Sequence, residues 1–138
     1  MRVSPYLLMD KLSAQTVFDG VVVLAAGMTS RCESKSGFCA YRSPGGRSAC
    51  FVGGLMTSDE VYRGNATPVD GPVDSLQQRG ELPARLHPHV AMLLDLQEVH
   101  DNKGNWRRPG GIADGLRKVA LLRNLSTQVL DQHFPVAA

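Results

Sequence analysis

Four side chains that could bind a ligand or react surround one glycine turn, in the segment GFCAYRSPGGRSACFVGGL at residues 37–55. Cys39 and Cys50 bracket the turn, and Arg42 and Arg47 lie between them. Paired thiols are compatible with a metal site or a disulfide, and arginines beside glycine amides are compatible with a phosphate site. The same residues also suit a plain β-hairpin, because Pro-Gly and Gly-Gly are turn dipeptides.

The cysteine pattern argues against a metal and against a disulfide. Structural zinc usually takes four Cys or His ligands, arranged as two close pairs. Cys32, Cys39 and Cys50 are spread out and form no C-x-x-C pair. Their number is odd, and the N-terminal stretch has too short an apolar run for a signal peptide. We therefore expect reduced, mostly buried thiols, no metal, no cofactor and a cytoplasmic protein.

A glycine pair supplies the ingredients of a small-ligand pocket. Gly53 and Gly54 precede the stretch SDEVY, and backbone amides at the start of a helix attract anions. The P-loop spacing is missing, since no Gly-Lys-Ser/Thr follows. The competing interpretation is that the glycines serve only turns. A hypothetical small-ligand or nucleotide site would contain Tyr41, Arg42, Gly53, Gly54, Asp59 and His100.

A second hypothesis for this region is nucleophilic catalysis. A small hydrolase or transferase would need a thiolate beside a histidine, and Cys50 with His100 and Asp101 offers those groups. Histidines near the end of a helix more often stabilise its last turn. The sequence therefore assigns no catalytic residue, and whether the protein is an enzyme stays open.

The segment NWRRPGG combines the single tryptophan with two arginines, which is typical of a protein-binding surface. Tryptophan and arginine are enriched among interface hot spots, and a tryptophan can also stack on a base. The alternative is that Trp106 folds back onto the core while the arginines are solvated. The predicted partner-binding residues are Trp106, Arg107, Arg108, Arg42 and Arg47.

Composition indicates one folded domain over residues 1–138. A hydrophobic fraction of 43% can support a core, and a net charge of +2 is too small to indicate a nucleic-acid-binding protein. The longest apolar run, VVVLAAGM, is too short to span a bilayer, so we expect no membrane partner. The ends at 1–12 and 131–138 are predicted to be flexible, and 64–83 to form a long surface loop.

The predicted fold class is α+β, mostly α, with three to four helices packed on one β-hairpin. Helices are expected after Ser13, after Thr57 or Ser58, from about Pro88 to Asn102, and from Ile112, and KGNWRRPGG is expected to be a loop. Short strands are expected at Phe38–Arg42 and Ser48–Val52. Leu122 is predicted to point inward. The expected core contains Val17, Phe18, Val21, Leu93, Leu94, Leu116 and Val119.

Several of these residues together resemble a family motif. The family consists of small proteins without an assigned activity, carried by bacteriophages, prophages and bacteria, with the pattern C-x-Y-R-G-x-x-G-x-x-C-A-x-G-x-L-I-x-D-E-x-Y and a later L-Q-x-x-H-D. This chain has Ser43 where a glycine is usual, Phe51 in place of the alanine and Gly54 in place of a second small residue or a cysteine, and its cysteines are one residue further apart. The matching residues are Cys39, Tyr41, Arg42, Gly46, Cys50, Gly53, Leu55, Asp59, Glu60, Tyr62, Leu96, Gln97, His100, Asp101 and Trp106.

The resemblance implies a phage-related context and a hairpin-centred fold, but no site roles. We therefore predict an accessory protein that binds and inhibits a host or antiviral-defence complex. Its partner would be a host or bacterial defence protein, for example part of a ribonucleoprotein such as a CRISPR complex, in the host-cell cytoplasm. The alternatives are the small-ligand-binding protein and the small enzyme described above.

Overall fold

Short helices joined by turns make up the part of the chain that the structure, a computed structural model, describes: residues 3–34 and 39–135. Within these ranges the α-helices are α1 (Ala14–Ala26), α2 (Ser58–Tyr62), α3 (Val73–Gln78), α4 (Val90–Asp101), α5 (Lys103–Arg107), α6 (Gly111–Leu122) and α7 (Gln128–His133). Turns of 3-10 helix lie at Pro5–Leu8, Pro44–Gly46, Gly53–Leu55 and Ala84–His89.

Side-chain caps start two of the predicted helices. The Ser13 hydroxyl accepts a hydrogen bond from the Thr16 N–H at 3.1 Å, which begins α1. Thr57 is the cap of α2, because its hydroxyl accepts from the Glu60 N–H while the Glu60 carboxylate accepts from the Thr57 N–H. Each cap satisfies amides that the first turn of a helix leaves unpaired.

The predicted core is confirmed as part of one hydrophobic cluster. Six of its predicted members are buried in that cluster, and the seventh, Leu94, is partly buried and packs against it; the six are Val17, Phe18, Val21, Leu93, Leu116 and Val119. Leu122 was expected to point inward but is 77% exposed. The reason is that α6 ends at Leu122 and the chain reverses at Asn124, which has φ 55°, so that Leu125 packs on the core instead.

The predicted α+β class is wrong, because the described residues are all-α and contain no β-strand. The two expected strands meet only at an isolated bridge between Arg42 and Ala49. A second isolated bridge joins Glu33 and Cys39. Phe38, the first residue of the expected hairpin, lies outside the described residues.

Carbonyl groups that a β-ladder would need accept hydrogen bonds within local turns instead. The carbonyl of Cys50 accepts from the Gly54 N–H at 2.9 Å, and that of Val52 accepts from the Leu55 N–H at 2.9 Å. A ladder requires such groups to face a neighbouring strand. The chain after Ala49 therefore turns into the core, and the hairpin stops after a single bridge.

Two segments predicted as loops contain helices. Helix α3 lies within 64–83, where Val73 and Leu76 are fully buried, and α5 lies within KGNWRRPGG. The Asn102 side chain caps α5 by accepting from the Gly104 N–H at 2.9 Å. Near the chain ends, Pro5–Leu8 form a 3-10 turn and α7 reaches residue 133, and the flexibility of these ends stays a prediction.

Helix α4 contacts several other helices of the fold. It packs against α3 and α6, and α5 follows its C-terminus directly. No helix among the described residues has both the length and the apolar composition needed to cross a bilayer.

Candidate functional site

Arg42 is a buried cation rather than a surface contact. It is 2% exposed, and its guanidinium donates to the carbonyls of Gly53 and Met56. Burial lowers the pKa of this guanidinium. Its Nε has no partner within the described residues. Arg42, predicted to contact a partner or a ligand, therefore ties together the backbone of residues 53–56.

The two glycines predicted to bind an anion have their amides occupied. The Gly53 N–H donates to Cys50 Sγ at 3.2 Å, and the Gly54 N–H donates to the Cys50 carbonyl. A Cβ at Gly53 would collide with the backbone of Tyr41, and one at Gly54 would collide with Leu24. These glycines therefore allow close packing and leave no amide for a phosphate in this arrangement.

His100 is the buried centre of a hydrogen-bond network. It is 0% exposed, its Nε2 accepts from the Cys32 N–H at 3.0 Å, and its Nδ1 lies 2.7 Å from Asp101 Oδ1. Since Nε2 faces a donor, the proton of the neutral ring resides on Nδ1 and is donated to Asp101. The ring also packs edge-on against Phe51 and Trp106, with centroid distances of 5.0 Å and 5.9 Å.

Three potential metal ligands meet beside this network, but their hydrogen bonds do not suit a metal. One ligand atom each from Cys39, His100 and Asp101 lies within 4.8 Å of the others. A metal on His100 Nδ1 would move the ring proton to Nε2, where it would face the Cys32 N–H. The Arg31 guanidinium also donates to Cys39 Sγ at 3.0 Å. The geometry fits a closed hydrogen-bond network better than a coordination sphere.

The proposed catalytic trio is also poorly arranged for catalysis. Burial raises the pKa of the Cys50 thiol to about 12, so this group is protonated near neutral pH. Both ring nitrogens of His100 are engaged by Cys32 and Asp101. A thiol activated by a histidine needs one of those nitrogens as its base. The structure therefore gives no support to nucleophilic catalysis by Cys50.

We expect Cys39 to react slowly with alkylating reagents. Burial raises the pKa of its thiol from 9.0 to about 11, and the Asp101 carboxylate adds to the rise. Only the thiolate is nucleophilic, so at pH 8 alkylation by iodoacetamide should be about 100-fold slower than for an unperturbed thiol. The rate should increase about tenfold per pH unit between pH 7 and 10, since the thiolate forms as pH approaches the folded pKa. Mass spectrometry of quenched samples measures the rate of alkylation at Cys39.

Unfolding provides the control for this prediction. In denaturant Cys32, Cys39 and Cys50 should all be alkylated at the rate of glutathione, because burial no longer affects them. Alkylation of native Cys39 at the glutathione rate at pH 8 would contradict the assigned environment.

One concave site lies between α4 and the segments around Tyr41 and Gly71. This Tyr41 cleft has a volume of about 350 Å³. The Tyr41 hydroxyl donates to the Gly71 carbonyl at 2.9 Å and accepts from Gln97 Nε2 at 2.8 Å. Its lining includes Cys39, Tyr41, Leu94, Gln97, Glu98 and Asp101.

A second, basic concave site lies beside the tryptophan. The Trp106 groove, of about 290 Å³, is lined by Thr29, Ser30, Arg31, Glu33, Lys103, Trp106 and Arg107. Lys103 and Arg107 occupy positions i and i+4 of α5, so that both face the same side of that helix. Trp106 is half-buried, and its indole N–H donates to the His100 carbonyl at 2.7 Å.

The remaining predicted residues are spread over the surface. Arg47 and Asp59 are exposed and line neither the Tyr41 cleft nor the Trp106 groove. Arg108 forms an ion pair with Asp114 at 2.8 Å. Sequence reasoning did not select Lys103 or Glu98. Helical spacing would have indicated both, since Lys103 is four residues before Arg107 and Glu98 four residues after Leu94.

Comparisons with protein-family models, with curated proteins and with solved structures found no match to this chain. The resemblance to the phage-associated family therefore stays a prediction based on the motif.

Proposed function

We propose that this is a binding protein whose Trp106 groove holds an acidic segment of a partner protein. The proposal rests on the position of two cationic residues, Lys103 and Arg107, on the same side of α5. Both are exposed, and neither forms an ion pair within the described part of the chain. Arg31 also lines the groove, where it forms an ion pair at 3.3 Å with Glu33, the single carboxylate residue of the lining, so Lys103 and Arg107 supply the excess charge. The excess of positive charge favours an anionic partner.

A protein partner fits this groove better than a nucleic acid. Stacking a base would need a free face on Trp106, whose ring is half-buried and packs against Phe51 and His100. The net charge of +2 is also small for a protein that binds a phosphate backbone. Two adjacent cations suit the carboxylates of a short acidic segment.

The partner would come from a host or from its antiviral defences, and binding would inhibit the complex to which that partner belongs. This part of the proposal rests on the motif resemblance, which implies a phage-related protein acting in the host cytoplasm. The charges that line the groove support only the statement that the contacting segment of the partner is acidic.

Fluorescence of the single tryptophan provides the test. Trp106 lines the groove, so binding of a hexaglutamate peptide should change its emission in a saturable way. Raising the salt from 50 to 300 mM should weaken binding several-fold, because exposed charges are screened. The same titration with hexauridylate, an RNA of equal length, measures binding of a nucleic acid. Tighter binding of the RNA than of the peptide would reassign the groove to nucleic acid.

Charge reversal locates the contact. The double variant Lys103→Glu, Arg107→Glu should bind hexaglutamate at least about tenfold more weakly. The control, Lys11→Glu with Arg63→Glu, makes the same change in net charge at exposed positions outside the groove. Equal weakening in both variants would mean that only net charge matters and would overturn the proposal. Trp106 itself is kept, since its bond to His100 also supports the fold.

A further inference from the structure

The Tyr41 cleft shares no lining residue with the Trp106 groove, and it has a different chemical character. One wall is a single face of α4, because Leu94, Gln97, Glu98 and Asp101 follow helical spacing. Pro72 contributes an apolar part of the lining. A volume of about 350 Å³ is within the range of pockets that hold small ligands.

The floor of the cleft is held rigid before any ligand arrives. Tyr41 is 3% exposed, and its hydroxyl is fixed between the Gly71 carbonyl and the Gln97 amide. Gln97 is itself fixed, because its Oε1 accepts from the Val73 N–H at 2.9 Å. A pre-organised polar floor lowers the entropic cost of binding.

The charged side chains of this lining are two carboxylates. Glu98 is exposed, and its carboxylate has no hydrogen-bond partner among the described residues. Asp101 is exposed as well, and its carboxylate accepts from His100 Nδ1 through Oδ1 and interacts with the Cys39 thiol. The two carboxylates are three residues apart on one helix, so a single cationic group can contact both. No lysine or arginine belongs to the described lining.

We propose that the Tyr41 cleft binds a small organic amine. The ammonium group lies between the Glu98 and Asp101 carboxylates and donates hydrogen bonds to both. The apolar body of the ligand packs on Leu94 and Pro72, against the Tyr41 floor. A free carboxylate or phosphate ligand is disfavoured, because the charged side chains of the lining are two carboxylates, and the nearby Arg31 guanidinium is already engaged by Cys39 Sγ and the Asp101 carbonyl.

An NMR titration with three probes tests the ligand class. In ¹H–¹⁵N spectra, 2-phenylethylamine should shift the amides of Gln97, Glu98 and Gly71 in a saturable way. The matched anion 3-phenylpropionate should shift them at least tenfold less at the same concentration. A blocked Gly-Lys-Gly tripeptide carries the same amine as a side chain. Equal shifts with the anion would overturn the proposal, and tighter binding of the tripeptide would reassign the cleft to a lysine of a partner.

Neutral replacements of equal shape test the two carboxylates. Glu98→Gln should weaken binding of 2-phenylethylamine about tenfold, and so should Asp101→Asn. Glu98 is exposed and makes no described side-chain contact, so its replacement should leave the fold intact. The control Asp59→Asn removes an exposed carboxylate outside the cleft and should bind as the wild type does. Unchanged affinity in Glu98→Gln would overturn the proposal, whatever the outcome for the Trp106 groove.

Discussion

Replacement of Arg42 by alanine should lower the free energy of unfolding by about 3–5 kcal/mol. The guanidinium donates to the carbonyls of Gly53 and Met56, and the side chain is 2% exposed. Hydrogen bonds from a charged donor contribute about 1.5–3 kcal/mol each, and the variant would leave both carbonyls buried without this donor. Urea unfolding followed by circular dichroism measures the loss, with the linear extrapolation to water giving the free energy.

The neighbouring arginine provides the matched control. Arg47 is exposed, so Arg47→Ala should change stability by less than about 0.5 kcal/mol. Arg42→Lys keeps the charge but loses the planar fork that spans the two carbonyls, so it too should be clearly destabilised. Wild-type stability of Arg42→Ala would show that this side chain does not hold the 53–56 turn, and would return Arg42 to the candidates for a surface contact.

Replacement of His100 by alanine should also lower the free energy of unfolding by about 3–5 kcal/mol. The ring is fully buried against Phe51 and Trp106, and large-to-small changes at such positions leave a cavity. The Cys32 N–H would also lose its acceptor. Thermal melting and urea unfolding measure the effect, and a change in tryptophan emission should accompany it, since the ring contacts Trp106.

The same measurement separates a structural histidine from a catalytic one. His133 is exposed in α7, so His133→Ala should stay within about 0.5 kcal/mol of the wild type. His100→Gln retains an acceptor for the Cys32 N–H and should recover part of the loss. If His100→Ala were as stable as the wild type, the network would not support the fold, and a role for His100 in chemistry would become the better explanation.

Much of the helical part of the fold follows from local patterns. Ser13 and Thr57 each provide a side-chain oxygen where a helix must begin, and the apolar residues behind Ser13 recur at the spacing of one helix face. Such signals depend on residues three or four positions apart, so they are visible in one sequence. The positions of α1, α2, α4 and α6 were predictable for this reason.

The site was less predictable, because its partners are far apart in the sequence. Tyr41 was a candidate, but its neighbours Gly71 and Gln97 lie 30 and 56 residues away. Trp106 was recognised as a possible contact, whereas its anchoring bond to His100 depends on α5, a helix that the sequence suggested was a loop. Glycine, proline and two arginines in that segment outweighed the helical signal of Lys103 and Asn102.

The sequence by itself determined the positions of α1, α2, α4 and α6 and most of the apolar residues expected in the core, because both follow from side-chain type at short spacing. Only the tertiary structure decided where the polar residues of the Cys39–Cys50 segment point. Arg42 entered the interior because carbonyls of residues 53–56 turned toward it, and the expected strands separated because the same turn took the groups that a ladder needs. An arginine is usually solvated, so its burial depends on acceptors that other segments supply.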